Sequence, residues 1–213
     1  MEEFIDTFDA NYKHTGQSER VAAHRRGLWH HTFHCWIVGR RRDTDFVLLQ
    51  LRAESKKNYP NMLDITAAGH LEAGERPEDG VREIEEELGI EVEPRNLIRL
   101  GVKHDVMDEP NGIQNREFAH VFLLRDDRDL SGYKLQDDEV SGLVEMPIDS
   151  GLALFSGSTS SVDCPAIKLD NKVPTSFTRS VTESDLIPRV DPYYFKVFIM
   201  AGLYLEGRRH LSI

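Results

Sequence analysis

Apolar positions along the chain fall into short blocks separated by polar turns. Thr32 to Val38 is β-branched and aromatic, without Gly or Pro, and predicts a strand. The polar run Gly39 to Asp45 predicts a turn, and Phe46 to Leu51 a second strand, so residues 32–51 read as a hairpin. Further strands are predicted at 62–66, 97–106, 117–125 and 139–146, with a turn signal at Glu109-Pro110-Asn111-Gly112. Residues 77–88 predict a helix, with Pro77 at its first position and Gly89 just past its end. A helix inserted among strands predicts the α/β (α+β) class, a sheet with helices packed on it.

Past residue 150 the pattern changes. Ser150, Gly151 and the run Ser156 to Ser161 predict a loop-rich stretch. Asp191-Pro192 then reads as a helix start, with Asp as N-cap and Pro first in the helix. Tyr193 to Glu206 continues as an apolar helix, and Gly207 is its stop. Its aromatic residues are expected to pack on the sheet rather than hold a ligand. No internal repeat is present.

Charge narrows the partners. The chain has 213 residues and a formal net charge of −11, which argues against nucleic-acid polymers and anionic membranes. Two cysteines, Cys35 and Cys164, make no disulfide framework, and the N-terminus is acidic where a signal peptide would be basic. No apolar run is long enough to span a bilayer. The expected setting is cytoplasmic.

The excess acid is concentrated. Residues 75–87 hold seven acidic side chains against Arg76 and Arg82. At about 100° per residue, Asp79, Glu83, Glu86 and Glu87 share one face of the predicted helix, and Val81, Ile84 and Leu88 the opposite one. Like charges at these spacings repel. A hard divalent cation needs such a face, because Mg²⁺ binds through carboxylates and substrate phosphates. A solvated Glu-rich surface helix produces the same pattern. The loop before the helix carries Gly69 and Gly74, which permit close backbone approach.

This stretch resembles the Nudix box. Gly69 and Glu75 are separated by five residues, as the pattern requires. Arg82-Glu83-Ile84-Glu85-Glu86-Glu87-Leu88-Gly89-Ile90 matches its second half at every fixed position. Six residues rather than seven lie between Glu75 and Arg82, which puts the register of Glu75 in question. The resemblance runs from about residue 28 to about residue 146. It is closest to the branch similar to isopentenyl-diphosphate isomerases, through Leu28-Trp29-His30, Ala68-Gly69-His70 and Glu117. Those isomerases place a catalytic cysteine where this chain has Ala68, and their box is eroded where this one keeps its Arg-Glu and Glu-Glu pairs.

The resemblance implies a Nudix-type mixed β-sheet sandwiched between helices, with a Nudix domain at 1–149 (box 69–90) and a helical, loop-rich extension at 150–213. It implies cleavage of a diphosphate linked to another moiety, with Mg²⁺ or Mn²⁺ held by Glu83, Glu86, Glu87 and the main-chain oxygen of Gly69. Glu83 is the first candidate for the general base and Glu117 the second, while Arg82 with Glu75 orients. The expected partner is a small phosphorylated substrate, with a homodimer possible. An isomerase-like enzyme and a non-catalytic diphosphate sensor are the alternatives.

His24, His30, His70 and Glu117 match a histidine metal site of the isomerases, but spacing does not bring them together, and packing or hydrogen bonding is the favoured reading. Cys35 is expected to be buried and inert. Arg40-Arg41-Arg42 is expected to be a solvated turn. Lys56 and Lys57 have the better claim on substrate phosphates.

Overall fold

One long strand organises the molecule. In the computed structural model, which describes residues 3–108 and 112–213, β3 (Trp29–Arg41) has neighbours on both sides and at both ends. Before it come a hairpin, β1 (Phe4–Phe8) and β2 (His14–Glu19), and a short helix, α1 (Arg20–Arg26). After it come β4 (Thr44–Arg52), β5 (Leu63–Asp64) and β6 (Ala67–His70). A 3-10 turn (Pro77–Val81) then leads into α2 (Arg82–Leu88). β7 (Ile98–Asp108), β8 (Gln114–Arg125) and β9 (Val140–Pro147) follow. The chain ends with α3 (Ile148–Phe155), the hairpin β10 (Val162–Asp170) and β11 (Val173–Val181), and α4 (Tyr193–Leu205).

The sheet is mixed. β3 runs parallel to β8 and antiparallel to β1, β4 and β6, while β9, β10 and β11 extend the sheet beyond β4. Alternation divides β3 between two cores. Trp36 and Val38 join Leu154, Val197, Phe198 and Ala201 under α3 and α4. Phe33, Cys35 and Ile37 join Ile84 and Leu88 of α2 on the other face. The sheet is therefore sandwiched between helices, as expected.

Several elements differ from the sequence reading. The β3–β4 turn is only Arg42 and Asp43, both at positive φ, so Gly39 to Arg41 continue the strand. The helix expected over 77–88 is a 3-10 turn followed by α2. The stretch read as loop after residue 150 begins inside α3, and the extension also holds the β10–β11 hairpin. Asp191 does not cap α4: Pro192 occupies the cap, and Asp191 pairs with Lys103 and Lys196 instead. Met1, Glu2 and the Glu109-Pro110-Asn111 turn signal lie outside the described residues. Among the described residues, no helix is long and apolar enough to cross a membrane.

Candidate active site

The face of β3 that is apolar at Trp36 and Val38 turns polar toward its start, at His34, Thr32 and His30. Strand register then assembles a cluster there. Asp105 of β7 pairs with Glu117 of β8, and Glu117 pairs with His30 of β3, so the three form a row across the sheet. His70 of β6 lies opposite Thr32. The left-handed residue Gly27 ends α1 and turns the chain back into β3, bringing His24 over the row. As a result, ligand-type atoms of His24, His30, His70 and Glu117 all lie within 4.8 Å of one another. Spacing along the sequence did not reveal this convergence, because it depends on pairing partners.

Hydrogen bonds fix the rings. His30 Nδ1 donates to Leu28 O at 2.9 Å, which leaves a lone pair on Nε2. That Nε2 is buried without a hydrogen-bond partner, 4.0 Å from Glu117 Oε1. His24 Nδ1 donates to Arg20 O at 2.7 Å, and its Nε2 lies 3.2 Å from His70 Nε2. Burial pushes His30 down to about 4 and His70 well below its ordinary value, so both are neutral at pH 7 and able to ligate. Burial, reinforced by Asp105, raises Glu117 to about 7. Thr32 Oγ1 donates to Glu117 Oε2 at 3.4 Å.

On the other side of β6, α2 presents the box carboxylates. Glu83 presses on Gly69 so closely that any Cβ there would collide with its carboxylate. Glu87 is 6% exposed, and its Oε2 accepts from Ala68 N at 3.3 Å. Glu86 reaches solvent. Burial raises both Glu83 and Glu87, and Glu83 adds to the rise at Glu87. Among the described residues these three do not converge on one point as the histidine cluster does. Glu83 turns instead to Arg82 Nη1, at 2.5 Å.

Despite the shorter spacing, Glu75 reaches Arg82. Arg82 Nε donates to Glu75 Oε1 at 3.0 Å, and Arg82 Nη2 to His70 O at 2.9 Å. A 3-10 turn, Pro77–Val81, fills most of this six-residue spacing. Five residues at about 120° sweep about 600°, as six α-helical residues at about 100° would. Gly80 permits this tight passage, since a Cβ there would strike the Phe33 ring. Arg82 thus directs its donors at Glu75, Glu83 and a backbone oxygen.

Both clusters open into one cleft of about 1370 Å³, which Arg52, Lys56, Lys57 and Arg189 also line. Lys56 pairs with Glu139. Arg40 and Arg41 pair with Asp45 and Glu145 and do not line the cleft. Cys35 and Cys164 are buried, and burial raises the Cys164 thiol to about 12. His34, Asp105 and Arg189 were not singled out as site residues from the sequence. Only the group of histidines near His34 carried any signal.

Comparison with known proteins agrees with this geometry. The NUDIX domain family matches residues 29–158. The chain belongs to the Nudix hydrolase family. It is 40% identical over 176 residues to an uncharacterized Nudix hydrolase of Clostridium acetobutylicum, covering 83% of this chain and 78% of that one. It is 36% identical over 128 residues to an isopentenyl-diphosphate Delta-isomerase of Shigella boydii, covering 59% of this chain and 66% of the relative. Nudix hydrolase 3 of Arabidopsis thaliana is 32% identical over 153 residues, but the chain spans only 20% of its length. The crystal structure of Deinococcus radiodurans DR0079 superposes with a TM-score of 0.56 at 21% identity, covering 73% of this chain and 90% of that one, a likeness of fold.

Proposed function

We propose that this protein hydrolyses a diphosphate joined to a second group, in a reaction that depends on a divalent cation. The observation that carries the reading is the box on the cleft wall, which keeps its Arg-Glu and Glu-Glu pairs. Glu83 lies against Gly69 there, Glu87 accepts from Ala68 N, and Glu75 and Arg82 lock the loop to the helix. Glu83, Glu86, Glu87 and the Gly69 carbonyl would hold Mg²⁺ or Mn²⁺. The donor set fits, since all are oxygens and the half-buried Glu83 and buried Glu87 crowd negative charge that a cation would offset. Such a cation supplies charge neutralisation for the diphosphate and makes water more acidic. Arg52, Lys56 and Lys57 bind and orient the phosphates. Glu83 is the first candidate to take the proton of the attacking water, and Glu117 the second.

The His24, His30, His70 and Glu117 cluster fits a second cation. The orphaned His30 Nε2, aimed at three other donor groups, supports that role. The same cluster favours the isomerase-like alternative. Against it stands the lack of a thiol: Ala68 occupies the cysteine position, and Cys35 lies in the core on the α2 face.

A panel of nucleotide sugars, dinucleoside polyphosphates and isoprenoid diphosphates, assayed with and without Mg²⁺, tests the reading. Cation-dependent cleavage of the phosphoanhydride is expected. Isomer interconversion without cleavage, or binding alone, would replace it with one of the alternatives.

A further inference from the structure

Beyond the family's matched span of residues 29–158, the chain returns to this cleft. Leu186 bridges to Leu63, and Ile187 N donates to Leu63 O at 3.1 Å, which docks the segment before α4 against β5. Ile187 and Arg189 then line the cleft. Arg189, with 8% of its side chain exposed, lies between two carboxylates. Its Nη1 donates to Asp105 Oδ2 at 2.6 Å and its Nη2 to Asp64 Oδ1 at 2.7 Å. Lys103 Nζ donates to the other oxygen of Asp105 at 2.9 Å. Both oxygens of Asp105, the register neighbour of Glu117, are therefore held.

A second chain of contacts arrives from the start of α4. Trp36 Nε1 donates to Tyr193 Oη at 3.0 Å, and that hydroxyl lies 3.1 Å from His34 Nδ1. An indole nitrogen is a donor only. The hydroxyl that accepts from it keeps its own hydrogen, which His34 Nδ1 is placed to take. A neutral ring then carries its proton on Nε2. A ring nitrogen of His34 and carboxylate oxygens of Asp105 and Glu117 lie within 4.8 Å of one another. This group is not another cation site. Its imidazole is engaged by Tyr193, Asp105 is engaged twice, and a cation there would meet Arg189 and Lys103.

We propose that residues 186–193 complete the active site from outside the matched span, with Tyr193 and Arg189 acting as positioning residues that fix Glu117 through His34 and Asp105. A core built for stability alone would be apolar here, because a buried charged network returns little net stability. Groups behind a ligand set its orientation and its affinity for the cation. The proposal rests on Glu117 belonging to the cation cluster.

The test uses the full chain and Mn²⁺ alone. Mn²⁺ held by imidazole shows nitrogen couplings in pulsed electron paramagnetic resonance, which separates this cluster from the all-oxygen box. Glu117→Gln should weaken the nitrogen-coupled population. Tyr193→Phe, which keeps the ring against Trp36, should weaken it about tenfold with little change in melting temperature. His34→Leu should do the same, and it carries the test if Tyr193→Phe does not fold. The double variant should bind no worse than the weaker single, because both changes break one chain of contacts. If Glu117→Gln binds as wild type does, the cation-site reading falls and the proposal with it. If Glu117→Gln weakens binding but Tyr193→Phe stays within about twofold of wild type, or the two effects add, the proposal alone is overturned.

Discussion

Glu83 and Glu87 lie one turn apart on α2 but meet different surroundings. Glu83 lies against Gly69 and Arg82, while Glu87 is buried beneath Ala68 N. Two predictions follow from those contacts. Glu87→Gln keeps the shape and an acceptor for Ala68 N but loses the charge. Cation-dependent hydrolysis should fall by at least about 100-fold, with the far-ultraviolet circular dichroism spectrum unchanged. Gly69→Ala places a Cβ where the Glu83 carboxylate lies, so Glu83 must swing away. A loss of about tenfold or more in kcat with a modest drop in Tm is expected, and unchanged kcat would contradict the contact. At this scale the box was legible because its residue types are unusual for a helix that need only be soluble. Asp105 and Arg189 were not legible. Their meaning comes from a pairing across 84 residues of sequence, and neither residue type is rare.

Among the elements, β3 was legible because its residues are almost uniformly suited to a buried strand. The N-terminal hairpin was not, since His14 to Glu19 is polar and none of its residues is buried. β11 was missed for the same reason, as most of its side chains are exposed and no alternation marks it. The N-terminal hairpin also has a task. Phe4 O accepts from Ala73 N at 2.9 Å, and Asp6 Oδ2 accepts from Gly74 N at 2.8 Å, so β1 holds the box loop. Gly74 has φ of 88°, a conformation glycine adopts without strain. Asp6→Ala should therefore lower hydrolysis several-fold while costing about 1 kcal/mol of stability in denaturant titrations. Full activity with the loop unclamped would show that β1 only covers the sheet edge.

For the molecule as a whole, the net charge of −11 first spoke against anionic partners. Its most acidic segment nevertheless lines a cleft that also holds Arg52, Lys56 and Lys57, so a cation there would make the cleft receptive to a diphosphate. Buried histidines set the acid limit of the fold. Burial lowers His34 to about 3 and His120 to about 4, from an ordinary value of 6.5. Between those values and 6.5 the unfolded chain binds more protons than the folded one, so stability falls as pH drops below about 6.5. Each histidine contributes up to about 2 kcal/mol of that loss at pH 5. Glu117 and Glu87, whose carboxyls burial raises, take up protons in the folded chain first and offset part of that loss. His30, His31 and His70 are lowered too, so thermal melts should still fall from pH 6.5 toward pH 5, and a rising profile would contradict this.

The central claim is that the box carboxylates support cation-dependent hydrolysis. The most direct measurement is product release from the diphosphate panel by the wild-type chain and Glu87→Gln, each with Mg²⁺ or Mn²⁺ and with a chelator. The account predicts turnover by wild type with the cation alone, and loss of it in both the chelated and the Glu87→Gln samples. Turnover that survives Glu87→Gln or the chelator would contradict it.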